Sequence, residues 1–230
     1  MKTPVVDYRE FRLSRLNEPR FAHLKLLGGW LVYFALYFLT ENLIPVSRCH
    51  VIHCALDDVI PFREGFLLIY CYWYVWIVCS MVWFLLYDIR SFKRMQIYIM
   101  ITQAVAMLAY IFYPSVQLLR PEHFARDNIL TRLMAFVYAV DTPTGVCPSL
   151  HVAYSLGIAS AWCHRKESNW FLKSFMILSA VAVSASTMFV KQHSAVDVLA
   201  AIPVCALAEY IVYHRCPQTM DPPVANGSSA

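Results

Sequence analysis

Residues 65–87 read GFLLIYCYWYVWIVCSMVWFLLY, 23 positions without a formal charge. About 20 mostly apolar residues in a helix cross roughly 30 Å of hydrocarbon, so this stretch is long enough to span a bilayer. Five others resemble it: 26–45, charged only at Glu41; 95–114, uncharged; 142–163, uncharged; 170–190, with Lys173; and 193–213, with Asp197 and Glu209. Pro148 within 142–163 places the start of that helix near Ser149. Hydrophobic residues make up 59% of the 230-residue chain and charged ones 15%, with a mean hydropathy of +0.51. A soluble domain averages roughly 25% charged residues, and one of this size could not hide so much apolar surface. Disorder, a coiled coil and a disulfide-knotted secreted domain are excluded by the same composition. Alternation of the strand type is absent, which leaves an all-α reading: a polytopic bundle of six transmembrane helices over 26–213. A basic segment, 1–25, precedes it and a polar, proline-containing tail, 214–230, follows.

Six spans put alternate loops on opposite sides. Thirteen of the 19 basic residues, among them Arg9, Arg12, Arg15, Arg20, Lys93, Arg94 and Arg165, fall on the side of the termini. Six, namely Arg48, Arg63, Arg120, Arg126, Arg132 and Lys191, fall on the other. The positive-inside rule then expects an integral protein of the plasma membrane with both termini in the cytoplasm. Residues 1–25 alternate basic and apolar positions, which fits a helix lying on the inner leaflet or a short solvated tail. The net charge of +4 is too small an excess to suggest nucleic acid as a partner.

Ionisable groups inside a span are costly, and here they form a pattern. His193 and Asp197 stand one turn apart on one helix face, where the carboxylate can hold one imidazole nitrogen and leave the lone pair of the other free. His151 lies at the start of the preceding even-numbered span, on the same side, and the loop before it carries Arg120-Pro121. A nucleophilic histidine, an orienting aspartate, a second histidine as acid and an arginine fork for oxygen atoms suit phosphoryl transfer. The bland alternative is a His–Asp pair that merely satisfies itself in a bundle core.

Cys147-Pro148-Ser149-Leu150-His151 followed by Ser186, His193 and Asp197 resembles the type 2 phosphatidic acid phosphatase superfamily, whose membrane members have six spans. The resemblance runs from Tyr113 to Asp197. Arg120-Pro121 matches the first family motif, but Tyr113 stands in place of its lysine and Thr187 in place of the arginine of the third. Leu150 replaces the usual glycine of the second, a form similar to the inositol phosphorylceramide synthase branch. The resemblance implies a metal-independent membrane phosphatase acting on lipid phosphate esters. His193 would attack phosphorus, His151 would protonate the leaving oxygen and Asp197 would orient His193. Arg120 and Ser149 would bind the phosphate, Ser186 would match the third motif, and Lys191 would supply a missing cation. It implies no cofactor. A second lipid alcohol as acceptor would make the enzyme a phosphotransferase instead, and a third reading is a lipid transporter or binding protein that keeps the fold.

Other signals carry less. The six residues Cys49-His50-Val51-Ile52-His53-Cys54 read as surface, since four ligands so close can hardly wrap one tetrahedral ion, with a Cys49–Cys54 disulfide as the alternative. Asp57-Asp58 read as a loop with nothing in register. The aromatic run Tyr70, Tyr72, Trp73, Tyr74 and Trp76 reads as packing or lipid-facing surface rather than a substrate cage.

Overall fold

The structure, a computed structural model, describes residues 3–215. Polar residues start its helices where the sequence changes from loop to apolar run. Asp88, Asn128, Ser149, Asn169 and Ser194 each accept a backbone N–H of the first turn that follows them. The helices are α1 (Gly28–Leu43), α2 (Ala55–Val59), α3 (Leu67–Tyr87), α4 (Ile89–Phe112), α5 (Ile129–Val140), α6 (Leu150–His164), α7 (Trp170–Phe189) and α8 (Ala195–Glu209). A π-helical turn, Tyr210–Arg215, prolongs α8. Asp88 alone separates α3 from α4; it ends one helix and caps the next.

Five of these helices, counting their short extensions, are long and apolar enough to cross a membrane: α1, α3, α4, α7 and α8. Their outward faces carry large apolar side chains, such as Leu31, Phe38, Val75, Leu108, Leu178 and Leu199, that touch no other part of the chain closely enough to be buried. The stretch 142–163 differs from expectation. Only its second part is helical, because Pro143, Gly145 and Pro148 break the run, and α6 has 15 residues or roughly 22 Å.

Helix α6 is nonetheless the centre of the bundle and packs on α3, α4, α7 and α8. Just past its last residue Arg165 reaches Asp88 at 3.3 Å, so α6 and the 24-residue α4 share one end. Antiparallel to α4 and nine residues shorter, α6 begins roughly 13 Å inside the other end. That depth sets where Ser149 and His151 lie.

The loops at that recessed end are stitched together. A two-residue parallel pair joins β1 (His50–Val51) to β2 (Ser115–Val116), and Val116 bridges to Thr144. Helix α5, amphipathic and 12 residues long, packs on the turn before α3. At the opposite end the basic N-terminal segment forms three 3₁₀ turns rather than one helix. It is docked: Phe21 and His23 are buried, and Tyr8 Oη bonds His23 and donates to the Leu85 carbonyl. The tail 216–230 lies outside the described residues.

Gly157 lets α6 lie directly on α4. A Cβ there would stand 2.7 Å from the Tyr98 ring, which is itself buried and unable to swing away. Gly157→Ala is expected to destabilise the bundle by about 1–3 kcal/mol, the usual cost of overpacking. A lower unfolding midpoint of the purified protein in detergent checks this.

Candidate active site

The capping residue Ser194 starts α8 so that residue 193 precedes the helix and Asp197 closes its first turn. In this capping box Ser194 Oγ accepts from the Val196 N–H, and Asp197 Oδ2 accepts from the Ser194 N–H at 2.9 Å. The same carboxylate oxygen lies 3.2 Å from His193 Nδ1. His193 Nε2 in turn lies 3.1 Å from His151 Nδ1. A line of three groups therefore runs Asp197–His193–His151. Its proton positions follow from chemistry: an ionised Asp197 needs a proton on His193 Nδ1, which in the neutral ring leaves Nε2 as acceptor. His151 Nδ1–H then donates to it. His151 Nε2 and Asp197 Oδ1 are buried with no hydrogen-bond partner among the described residues.

Two helices deliver this line. Ser149 Oγ caps α6, and its N–H donates to the Asp197 carbonyl at 3.1 Å, which ties the start of α6 to the start of α8. The segment before α6 is held from β2: Ser115 Oγ accepts from both the Val146 and Cys147 N–H groups at 3.1 Å. Tyr110 Oη donates to the Pro148 carbonyl at 2.9 Å.

The two histidines open on a cavity of about 660 Å³. Its walls include two apolar stripes, the first of them wholly aromatic. Trp30, Tyr33, Phe34 and Tyr37 come from α1, and Trp73, Tyr74, Ile77 and Met81 from α3. Helix α1 packs on α4, through Trp30 Nε1 donating to Gln96 Oε1, and stands off α3, so the cavity lies between them. The polar end, beside the histidines, is lined by Asp141, Thr142, Thr144 and Gln192. Thr142 and Thr144 both donate to Glu41 of α1. Of the aromatic run Tyr70, Tyr72, Trp73, Tyr74 and Trp76, Trp73 and Tyr74 line the cavity, while Tyr72 and Trp76 pack against Ser179 and Met176 of α7. In an α3 apolar on every side, position along the sequence did not distinguish the lining face. The available signal lay in α1, where the aromatic positions 30, 33, 34 and 37 share one helix face.

The expected phosphate ligands are placed unevenly. Arg120 reaches the polar end through its neighbours, donating to Gln192 Oε1 at 2.6 Å, the Asp141 carbonyl at 2.7 Å and the Tyr138 carbonyl at 3.1 Å. Its Nε is buried without a partner among the described residues. The Asp141 carboxylate is held by Tyr70 Oη at 2.9 Å and Gln192 Nε2 at 3.1 Å. Ser149 is a buried cap, and Ser186 donates to the Val183 carbonyl inside α7; neither lines the cavity.

Lys191 requires a correction. Its ammonium donates to the Asp57 carbonyl at 2.8 Å and the Ile60 carbonyl at 2.5 Å, away from the cavity. Burial lowers its pKa, against the raising effect of Asp57 and Asp58. Tyr113, in the place of a family lysine, is exposed and stacks on His50 at 4.1 Å, so it substitutes for nothing at the site. Thr187 donates to the Ser184 carbonyl, while its own carbonyl accepts the Gln192 and His193 N–H groups.

Asp57, discounted in the sequence, is 3% exposed and accepts from Ser194 Oγ and the Ala195 N–H. Cys49 and Cys54 are free thiols, and no group of three or more His, Cys, Asp or Glu side chains among the described residues could hold a metal ion. The chain matches no family model, no curated protein and no solved structure.

Chemically, the arrangement offers one lone pair backed by a carboxylate and one N–H beside it, at the polar end of an aromatic cavity. Ser115→Ala is expected to orphan the buried Val146 N–H and the half-buried Cys147 N–H next to this site, the first costing about 1–3 kcal/mol. The unfolding midpoint in detergent should fall by several degrees, whereas Ser115→Thr, which keeps the hydroxyl, should recover most of it.

Proposed function

We propose that this chain is a six-span integral membrane enzyme that cleaves lipid phosphate esters through a phosphohistidine, as a member of the type 2 phosphatidic acid phosphatase superfamily. The observation that carries the reading is the Asp197–His193–His151 line opening on an aromatic-walled cavity. A phosphoryl group at the polar end would stand against His193 Nε2, with its hydrophobic body between the α1 and α3 stripes.

In the resting arrangement the His193 lone pair is occupied by the His151 proton. A substrate oxygen that accepts this hydrogen bond in place of His193 frees the lone pair in the same movement. His193 Nε2 then attacks phosphorus, the phosphorus–oxygen bond to the alcohol breaks, and His151, which enters this step as an imidazolium, gives its Nδ1 proton to the departing oxygen and is left neutral. Asp197 stabilises the imidazolium that carries the phosphoryl group. Water, deprotonated by His151, attacks phosphorus in the second step and releases phosphate and free His193.

Arg120 supports the phosphate end. Hydrolysis is the first reading. Transfer to a lipid alcohol is the second, favoured by the cavity's apolar walls, which suit a lipid acceptor as well as a lipid donor. The short α6 would serve as the sixth span by crossing the thinner, recessed middle of the bundle. The 13-to-6 split of basic residues supports cytoplasmic termini and a site facing the opposite side.

Release of phosphate from a short-chain phosphatidic acid in detergent tests the activity. His193→Ala and His151→Ala should each lose at least about a thousandfold in turnover, and Asp197→Asn should keep a small residue. A phosphoenzyme trapped on His151 would reverse the assignment. Vanadate should inhibit and EDTA should not. Added diacylglycerol or ceramide separates the two readings, because label appearing in a new lipid would favour transfer.

Orientation is tested with single cysteines at the exposed positions His123 and Lys166 in a cysteine-free background. An impermeant maleimide applied to intact cells should label position 123 and spare 166.

A further inference from the structure

The turn that presents His193 is held from outside by α2, a five-residue helix in the loop after α1. The Asp57 carboxylate accepts from Ser194 Oγ at 2.5 Å, from the Ala195 N–H at 2.8 Å and from the Cys54 N–H at 2.8 Å. The Asp57 carbonyl and that of Ile60 receive the Lys191 ammonium at 2.8 and 2.5 Å. Residues on both sides of His193 are therefore anchored to one short segment. Lys191 has φ of +55°, a left-handed conformation uncommon outside glycine, so the turn would not hold this shape through local preference alone. Asp57 is 137 positions from Ser194 and buried, and its charge has all its oxygens occupied. Burial opposes that charge, but the Ser194, Ala195 and Cys54 hydrogen bonds outweigh it and hold the carboxyl below its usual range. A carboxylate at the start of α8 also has a favourable sign with respect to the helix dipole.

We infer that Asp57 is a positioning residue: it fixes the 191–195 turn so that His193 Nδ1 stays on Asp197 and Nε2 faces the cavity. Neither Asp57 nor α2 reaches the cavity wall, so the effect passes through Ser194 and Ala195. Two carboxylates then brace one turn, Asp197 from within α8 and Asp57 from the loop. Its kinetic consequence rests on the function proposed above; its geometric consequence does not.

Two measurements separate these. The first is the ¹⁵N-resolved NMR signal of the His193 Nδ1 proton in labelled, detergent-solubilised protein. Asp57→Asn keeps the shape but loses one acceptor, and it should shift and broaden that signal, as should Asp57→Ala if it folds. Asp58→Asn, at an exposed neighbour paired with His53, should not. The second is steady-state phosphate release. Asp57→Asn should lower kcat by about tenfold to a hundredfold with KM within about twofold, as expected when a reacting group is misplaced by a fraction of an ångström. Asp57→Glu, which restores the charge at a longer reach, should recover part of the loss. An unchanged His193 signal in Asp57→Asn overturns the inference, as does an unchanged kcat in an enzyme that turns over. If the wild type cleaves no phosphate ester, the proposed function falls, and the NMR comparison still decides the role of Asp57.

Discussion

The Asp197 carboxylate is completely buried, and much of the site follows from the need to surround it with donors. A buried charge without partners is not tolerated, and this one finds two N–H groups on a single oxygen: the Ser194 amide and His193 Nδ1. The first makes the capping box that starts α8. The second fixes the tautomer of His193. The Asp197 carbonyl takes a third donor, the Ser149 amide, and through it the beginning of α6. One residue thus sets the start of a helix, the chemistry of an imidazole and the distance between two helices that are 42 positions apart at their histidines.

The cations that a phosphate would ordinarily meet are few here, and their placement shows why. Lys191 neutralises backbone carbonyls rather than a ligand, and Arg120 is spent on Tyr138, Asp141 and Gln192. Arg120 also lies over the Tyr138 ring at 4.6 Å. What faces the cavity at its polar end is the Asp141 carboxylate beside the two histidines. Under the proposed function, attraction for a dianionic monoester is weak, and binding free energy has to come from the aromatic walls.

Much of this was legible in the sequence because it is local. The 193-to-197 spacing, the Ser149 cap and the apolar runs depend on neighbours within one or two turns, and the structure has them in the expected places. The errors are long-range. Asp57 meets Ser194 across 137 positions, and Lys191 meets Ile60 across 131, where spacing carries no information. The lining face of α3 is not legible because that helix is apolar all round, so periodicity cannot mark a face. Helix α5 was passed over because 12 residues are too few to span hydrocarbon, although its Asn128 cap was readable. The fourth span was drawn too long: hydropathy measures composition, and Pro143 and Pro148 decide conformation.

The late start of α6 leaves a non-helical strip, 142–149, sunk below the rim of the bundle. Its backbone is pinned at several points: Pro143 O takes Gln117 N–H, Gly145 N–H goes to Ser115 O, and Pro148 O takes Tyr110 Oη. Two of its eight residues are prolines, which bring no N–H to satisfy. A strip pinned at both ends and along its middle in this way has little slack in length. Adding or removing one residue would shift every later donor off its acceptor and rotate His151 by about 100° around the axis of α6. The exposed stretch 121–127 in the same connection bears no such restriction. Length variation among chains that share this fold is therefore expected to accumulate there and to stop at residue 142.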